Sequence, residues 1–495
     1  MRQLTALDVQ FLNAESTTTT GHVGGLSILD PSTAPGGELT VESFRELILE
    51  RLHLVKPFRW RLLHVPLGID HPYWMDDTEF DIEYHVREIA LPAPGDERQL
   101  AEQVARLTSR PLDRRRPLWE SYLIHGLQGG NVGIYTKVHH SAIDGVSGAE
   151  ILGALMDTSP EPRKIEKPER WIAKRPPSQF ELLADGVRRI LLQPVKSLLK
   201  VPRLLPHVDD IPGIERVPGI DLLAKAGDAL SRLTRQGPGR HEAERPKMVA
   251  PHTPFNGPIS QHRRFAYGSL PLADVKALKT AFGVTVNDVV MALCASAMRR
   301  WLIDHDALPA DPLVTLVPLS VRTPEQAGSA GNQISAMLAP LPTNIADPAE
   351  RLAAMTTSMV SAKKRYQPLP ASWLVDFSGM LPAALGGLSA RALMRYLGAT
   401  APVVNLVVSN VPGAQFPLYQ GGARLLANYP VSAITDASGG LNITVMSYNG
   451  QLDFGLVACR ELIPDVWNII DYLHEALDEL TKLATDRATE SLSKE

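Results

Sequence analysis

Two adjacent histidines stand in the stretch whose residue types are best suited to acid–base chemistry. The stretch reads His139-His140-Ser141-Ala142-Ile143-Asp144-Gly145. An imidazole titrates near neutral pH, so it can take a proton from a hydroxyl or a thiol. The sequence therefore offers a general base, with Asp144 as a nearby acid and Gly145 as a residue that permits a tight backbone turn.

The flanking residues predict a strand before the histidines and a helix after them. Residues 132–138 alternate, whereas residues 146–155 form a small-residue and apolar run. Successive side chains of a strand point to opposite faces, so one histidine can face a cleft while the other packs inward. Three interpretations stay open: His139 is a core histidine, Asp144 caps the helix, or the histidines bind a metal, although adjacent strand histidines cannot easily share one ion.

Composition excludes several classes of protein. The chain has 495 residues and a net charge of −4, which gives no footprint for nucleic-acid binding. Its two cysteines, Cys294 and Cys459, argue against a disulfide framework or a thiolate metal site and fit a reducing cytosol. Asp8 interrupts any apolar core of a signal peptide, and no apolar run long enough for a transmembrane helix occurs. We therefore expect a cytoplasmic location.

Strand and helix patterns alternate on both sides of a proline-rich stretch, which predicts an α/β protein with two similar domains. The boundaries predicted are an N-terminal domain at 1–157, a linker at 158–258 and a C-terminal domain at 259–495. Residues 161–205 of the linker carry an excess of six positive charges among apolar residues. Such a basic amphipathic segment can lie on an anionic membrane surface, or it can pack as a linker helix on the two domains.

The histidine stretch resembles the signature of coenzyme-A-dependent acyltransferases of the chloramphenicol acetyltransferase superfamily. Further blocks resemble one family within it, the bacterial wax ester synthase/diacylglycerol acyltransferases. These blocks run in order from residue 4 to about 460, and they are Leu4–Leu12, Gly21–Leu26, Arg116–Glu120, Val286–Val290, Ser409–Gly413 and Asn442–Tyr448. The resemblance is thus nearly full-length, and it is more specific than the seven-residue signature.

The resemblance implies two chloramphenicol acetyltransferase-like domains with mixed sheets flanked by helices, and a tunnel between them. His140 would be the general base, His139 would support it, Asp144 would orient the site by pairing with an arginine, and Gly145 would form the turn. The reaction implied is esterification of diacylglycerol to triacylglycerol, with acyl-coenzyme A as co-substrate and without a cofactor or a metal. Attachment to a membrane or a lipid body would be peripheral.

Two alternatives follow from the same resemblance. A long-chain fatty alcohol as acceptor would make the protein a wax ester synthase. A non-catalytic lipid-binding protein on the same fold is the second alternative, and the intact His140 and Asp144 speak against it.

Four further residues are candidates for substrate binding, each beside a structural interpretation. Asn287 and Asp288 open a helix predicted at 285–304, where Thr285 and Asp288 resemble a capping box. Ser409 and Asn410 end a strand predicted at 404–409, where turn geometry is the plain interpretation.

Overall fold

The computed structural model describes residues 1–143, 148–166, 177–178, 180–185, 187–188, 249–320, 334–366, 402 and 404–492. Its α-helices include α1 (Ala6–Ala14), α2 (Val41–Arg51), α3 (Ile82–His85), α4 (Glu97–Thr108), α5 (Gly148–Leu155), α6 (Leu272–Phe282), α7 (Val286–Asp304), α8 (Pro348–Tyr366) and α9 (Trp467–Leu492).

The first large sheet carries the histidine pair. Its strands lie in the order β12 (Tyr419–Gln420), β13 (Ala423–Val431), β2 (His22–Asp30), β7 (Val132–His139), β6 (Trp119–His125) and β5 (Val86–Ala90). β5 and β6 are parallel, and the other neighbours are antiparallel. The register of β2 and β7 places His22 opposite His139, so the start of β2 lies beside the end of β7.

The second large sheet has the order β10 (Ile334–Leu341), β9 (Leu313–Ser320), β11 (Leu406–Val411), β14 (Leu441–Tyr448), β15 (Gln451–Cys459) and β8 (Arg263–Pro271). β11 is parallel to both of its neighbours, while the remaining pairs are antiparallel. α7 and α9 cover this sheet and bury their apolar faces in its core. A smaller sheet joins β1 (Arg2–Gln3), β4 (Tyr73–Asp76) and β3 (Trp60–Leu63).

The two halves share a core, and a strand from the second half joins the sheet of the first half. β13 follows β11 along the chain, yet it pairs with β2 in the first sheet. It crosses β15 so closely that a Cβ on Gly455 would lie 1.8 Å from the carbonyl oxygen of Pro430. Apolar residues of both halves, such as Leu26 and Val457, then pack into one cluster. The halves are thus joined by backbone pairing as well as by side-chain packing.

Mixed sheets flanked by helices confirm the predicted α/β class, and most predicted elements lie within a few residues of their observed bounds. Two predictions differ. Residues 259–495 are predicted to form the second domain, but β12 and β13 belong to the first sheet. The alternation of residues 84–89 predicts a strand, but Tyr84 and His85 end the short helix α3, because the Asp81 carboxylate caps its start.

No single described helix has the length and apolar character needed to cross a membrane. One bent pair, α6 with α7, meets the criteria jointly, but its two helices meet at 103°. α7 is also mostly buried in the second domain. Most of the basic segment at 161–205 lies outside the described residues.

Candidate active site

The histidine pair sits where β7 ends and a 3₁₀ turn begins. His139 is the last residue of β7, and His140 opens the turn that runs to Ile143. The backbone N–H of His139 donates to the carbonyl of Leu118 at 2.9 Å, and that of His140 donates to the carbonyl of Gly21 at 2.8 Å. The residue before β6 therefore holds the backbone of His139, and the residue before β2 holds the backbone of His140.

Both ring nitrogens of His139 face polar partners inside the protein. Its Nδ1 accepts the backbone N–H of Ser141 at 3.1 Å and lies 2.6 Å from the Ser141 hydroxyl. An accepting Nδ1 assigns the ring proton to Nε2, which lies 3.3 Å from the Glu15 carboxylate. The residue is only 1% exposed. His139 therefore supports the site from inside the protein and is not accessible to a substrate.

Glu15 connects His139 to the segment that follows α1. Its carboxylate accepts the backbone N–H of Gly21 at 2.8 Å and the guanidinium of Arg114 at 2.6 Å. Burial alone would raise the pKa of Glu15, but the contacts with His139, Gly21 and Arg114 outweigh burial and lower that pKa to about 2. The carboxylate is thus charged throughout the physiological range and lies within ion-pair distance of the His139 ring.

Gly21 is required by close approach to the same ring. A Cβ at this position would lie 2.6 Å from Nε2 of His139 and 3.2 Å from the carbonyl oxygen of Phe11. No side chain larger than hydrogen fits there without displacing one of them. Gly21 thereby allows the backbone of residues 15–21 to pack against both histidines.

His140 has a different environment from its neighbour. Its ring stacks on Phe11 of α1, with centroids 4.1 Å apart and an interplanar angle of 19°. Burial, together with the nearby His139, lowers the pKa of His140 to about 4, against an opposing contact with its own backbone. The ring is therefore neutral at pH 7 and able to accept a proton.

The ring of His140 has few polar contacts in the described chain. Its Nδ1 is enclosed and has no hydrogen-bond partner among the described residues. A neutral imidazole carries its proton on one nitrogen and a lone pair on the other, so the unprotonated nitrogen can accept the proton of an incoming hydroxyl.

Asp144 and Gly145, the remaining predicted members of the stretch, lie outside the described residues. The sequence-based roles of Asp144 in orienting the site and of Gly145 in forming the turn stay predictions. In the part of the chain that is described, no three His, Cys, Asp or Glu side chains come together as metal ligands would.

An apolar cavity of about 150 Å³ lies on the opposite face of β7 from His139. It starts beside Val138 and Ile143, which flank the histidine pair, and α5 forms its roof. The wall is mostly aliphatic and includes Val23, Val138, Ile143, Leu152, Met156 and Met446. Such a wall suits a hydrocarbon chain and offers little to a polar ligand.

Asn287 and Asp288 have mainly structural partners. Thr285 caps α7, its backbone N–H donates to the Asp288 carboxylate at 3.0 Å, and the N–H of Asp288 donates to the Thr285 hydroxyl at 3.1 Å. The structural interpretation of Asp288 as part of a capping box therefore describes its observed contacts. The side-chain oxygen of Asn287 accepts from the amide of Asn410 at 3.3 Å.

Ser409 and Asn410 lie inside β11, which begins and ends two residues later than the predicted strand. Both are half-buried. Asn410 and Asn287 meet across 123 residues of sequence, but in the described chain neither forms a hydrogen bond with the histidine pair. Their role in substrate binding stays a prediction.

Four supporting residues of the site, Phe11, Glu15, Gly21 and Arg114, were not assigned roles from the sequence. Phe11 and Gly21 lie in blocks that carry the family resemblance, and this membership is the sequence signal that points to them. Nothing local marks Glu15 or Arg114, because Glu15 lies 124 residues from its partner His139 and 99 residues from its partner Arg114 along the chain.

Comparisons with known proteins agree along almost the whole chain. Residues 4–290 match the wax ester synthase/diacylglycerol acyltransferase catalytic domain, and residues 330–481 match the C-terminal domain of the same family. A putative diacylglycerol O-acyltransferase of Mycobacterium tuberculosis is 36% identical over 98% of this chain and 91% of its own length. A probable diacylglycerol O-acyltransferase of the same organism is 36% identical over 96% of this chain and 97% of its own.

Solved structures show the same architecture. The wax ester synthase/diacylglycerol acyltransferase of Marinobacter aquaeolei is 30% identical, with a TM-score of 0.65 over 98% of this chain and all of the other. The first condensation domain of the calcium-dependent antibiotic synthetase is 16% identical, with a TM-score of 0.51 over 98% of this chain and 96% of its own, and shares the fold. This chain belongs to the wax ester synthase/diacylglycerol acyltransferase family.

Proposed function

We propose that this protein transfers the acyl group of an acyl-coenzyme A to the free hydroxyl of diacylglycerol, which forms triacylglycerol. The observation that carries the proposal is a neutral His140 in the turn whose last residue, Ile143, lines an apolar cavity, in a chain of this family. The curated relatives bear the name diacylglycerol O-acyltransferase, which favours this acceptor.

His140 acts as the general base. Its unprotonated ring nitrogen takes the proton of the acceptor hydroxyl while the oxygen attacks the thioester carbonyl. The resulting tetrahedral oxyanion collapses, the carbon–sulfur bond breaks, and the proton on His140 passes to the departing thiolate of coenzyme A. The steps need one base and hydrogen-bond donors for the oxyanion, without an acyl-enzyme or a cofactor.

The residues around His140 serve this step by position. Phe11 stacks on the ring, and Gly21 holds the backbone of His140. His139 supports the turn through Ser141 and Glu15. The cavity beside Val138 and Ile143 takes up part of a hydrocarbon chain and excludes water from the reacting groups. Asp144 and Gly145 complete the turn as the family resemblance implies.

The acceptor distinguishes two functions within the family. The Marinobacter protein is named for both wax ester synthesis and diacylglycerol acylation, so a long-chain alcohol is the second candidate acceptor. Purified protein is assayed for thiol release from palmitoyl-coenzyme A with dioleoylglycerol or with hexadecanol. We expect faster release with dioleoylglycerol. Preference for hexadecanol assigns wax ester synthesis, and no release with any alcohol contradicts the acyltransferase function.

Access to oily substrates requires a lipid surface, and we place the protein peripherally on a membrane or a lipid body through residues 161–205. Deletion of this segment should lower sedimentation with anionic vesicles. A vesicle-bound fraction that is unchanged by the deletion contradicts the attachment.

A further inference from the structure

A second cavity, of about 460 Å³, lies between α4, the start of β8 and the chain after β15. Arginines dominate its wall: Arg98, Arg106, Arg110, Arg263, Arg264 and Arg460. Among the described residues that line it, Glu102 is the carboxylate that opposes them. A cleft lined by positive charges focuses the electric field, so it attracts an anion. The chain as a whole carries a net charge of −4, so this concentration of positive charge is local.

Some of these guanidinium groups keep free donors within the described chain, although Arg263 donates to backbone carbonyls and Arg460 pairs with Glu461. Arg106 and Arg110 are exposed and form no ion pair with a described carboxylate. The Nε of Arg264 is buried and has no hydrogen-bond partner among the described residues. Guanidinium groups bind phosphates with two parallel hydrogen bonds, so several free ones around a cavity suit a phosphorylated ligand.

The cavity also has an aromatic wall. Trp467 lines it, half-buried, with Arg98 5.0 Å from the ring centroid. An aromatic surface beside phosphate-binding arginines suits a nucleotide, because bases stack on aromatic rings and on guanidinium planes.

The segment 15–21 contacts both the wall of this cavity and the histidine pair. Arg263 donates to the carbonyl of Thr18, and Gly21 accepts the backbone N–H of His140. Three residues span at most about 10 Å, so the cavity wall lies a short distance from His140. From the other side, the Nζ of Lys137 in β7 donates to the carbonyl of Arg110 at 2.8 Å. A flexible thioester arm of the length found in coenzyme A bridges a distance of this order.

We infer that this arginine cavity binds the phosphorylated nucleotide end of acyl-coenzyme A, with Arg106 and Arg110 contacting its phosphates. The thioester arm then follows segment 15–21 to His140. This inference rests on the proposed function, and it assigns the site that selects a nucleotide-bearing thioester over a simple one.

The test compares thioesters that differ in the nucleotide alone. The double variant Arg106→Gln/Arg110→Gln removes two exposed charges without touching the core. Its KM for palmitoyl-coenzyme A should rise about tenfold, the loss of about one charged hydrogen bond. The rise in KM should be smaller for palmitoyl-dephospho-coenzyme A. For palmitoyl-N-acetylcysteamine, which lacks the nucleotide, kcat/KM should not change. The double variant Arg300→Gln/Arg487→Gln, with the same loss of charge outside the cavity, should behave like the wild type.

Several results would overturn the inference. One is an unchanged KM for palmitoyl-coenzyme A in the cavity variant, and another is an equal loss with all three thioesters. Calorimetric titration with coenzyme A tests binding without turnover: the wild type should bind and the cavity variant should bind about tenfold more weakly. If wild type turns over no thioester yet shows this difference in binding, the proposed function fails and the nucleotide site stands.

Lipid headgroups also carry phosphate, so the experiment includes phosphatidylglycerol vesicles. We expect the cavity variant to sediment with them as the wild type does. A variant that loses vesicle binding but keeps its affinity for coenzyme A would assign the arginines to the lipid surface and contradict the inference.

Discussion

Each half of the molecule begins a helix with the same four-residue capping box, and the two boxes have different consequences. Thr5 and Asp8 cap α1, and Thr285 and Asp288 cap α7, with closely similar hydrogen-bond lengths. Both aspartates are buried. Local chemistry is therefore the same in both places.

The difference lies in what each helix meets. α1 carries Phe11 to the face of His140 and ends at Glu15, beside His139. α7 starts with Asn287 against Asn410, both neutral amides, and then enters the core. A cap fixes where a helix starts, but titratable neighbours decide whether that helix takes part in chemistry. Four experiments test this contrast.

The largest effect is expected from His140→Ala, compared with Asn410→Ala. Removing a general base should lower kcat about 10²- to 10⁴-fold, whereas losing one neutral hydrogen bond should change it by about tenfold at most. Thiol release from palmitoyl-coenzyme A measures both, and thermal unfolding checks that each variant is folded. Comparable losses in the two variants would remove the distinction between the regions.

Glu15→Gln should lower kcat about tenfold with little change in KM. The amide keeps the shape of the carboxylate but loses its charge, so it holds Arg114 less firmly and removes the negative charge 3.3 Å from Nε2 of His139. Glu350→Gln, an exposed carboxylate on α8, is the matched control and should leave kcat unchanged. A rise in KM with an unaltered kcat would show that Glu15 does not position the histidines.

The two caps themselves give a smaller effect. Thr5→Ala and Thr285→Ala should each lower the free energy of unfolding by about 1 kcal/mol, the usual cost of a lost N-cap. Only Thr5→Ala should also lower kcat, by a few-fold, because α1 carries Phe11 and Glu15. Chemical denaturation and thiol release measure the two quantities. An equal fall of kcat in both variants would contradict the separation.

The smallest effect concerns pH. The pKa of His140 is lowered to about 4, so the protonated, inactive ring forms only as the pH falls towards that value. kcat/KM, which reports the free enzyme, should therefore change less than about twofold between pH 7 and pH 5. An unperturbed imidazole would lose activity near pH 6.5. A midpoint near 6.5 in the measured profile would show that burial does not lower the pKa of His140.

Local patterns predicted most elements near the site. Alternation placed the strand at 132–139, and the Thr285–Asp288 spacing placed the start of α7. β13 escaped prediction because Pro430 interrupts its pattern and its partner β2 lies about 400 residues away along the chain. A proline in a strand argues against that strand from sequence, and pairing over such a distance leaves no local trace.

The sequence by itself determined the reacting group, the α/β class and the family, because these depend on residue types, periodicity and ordered blocks. The tertiary structure decided that His139 is hydrogen-bonded through Nδ1 to Ser141, whereas His140 stacks on Phe11. It also decided that Glu15, Gly21 and Phe11 hold them, and that arginines from three separate segments line one cavity. Burial, hydrogen bonding and charge density arise from residues far apart in the chain, so they exist only once the chain has folded.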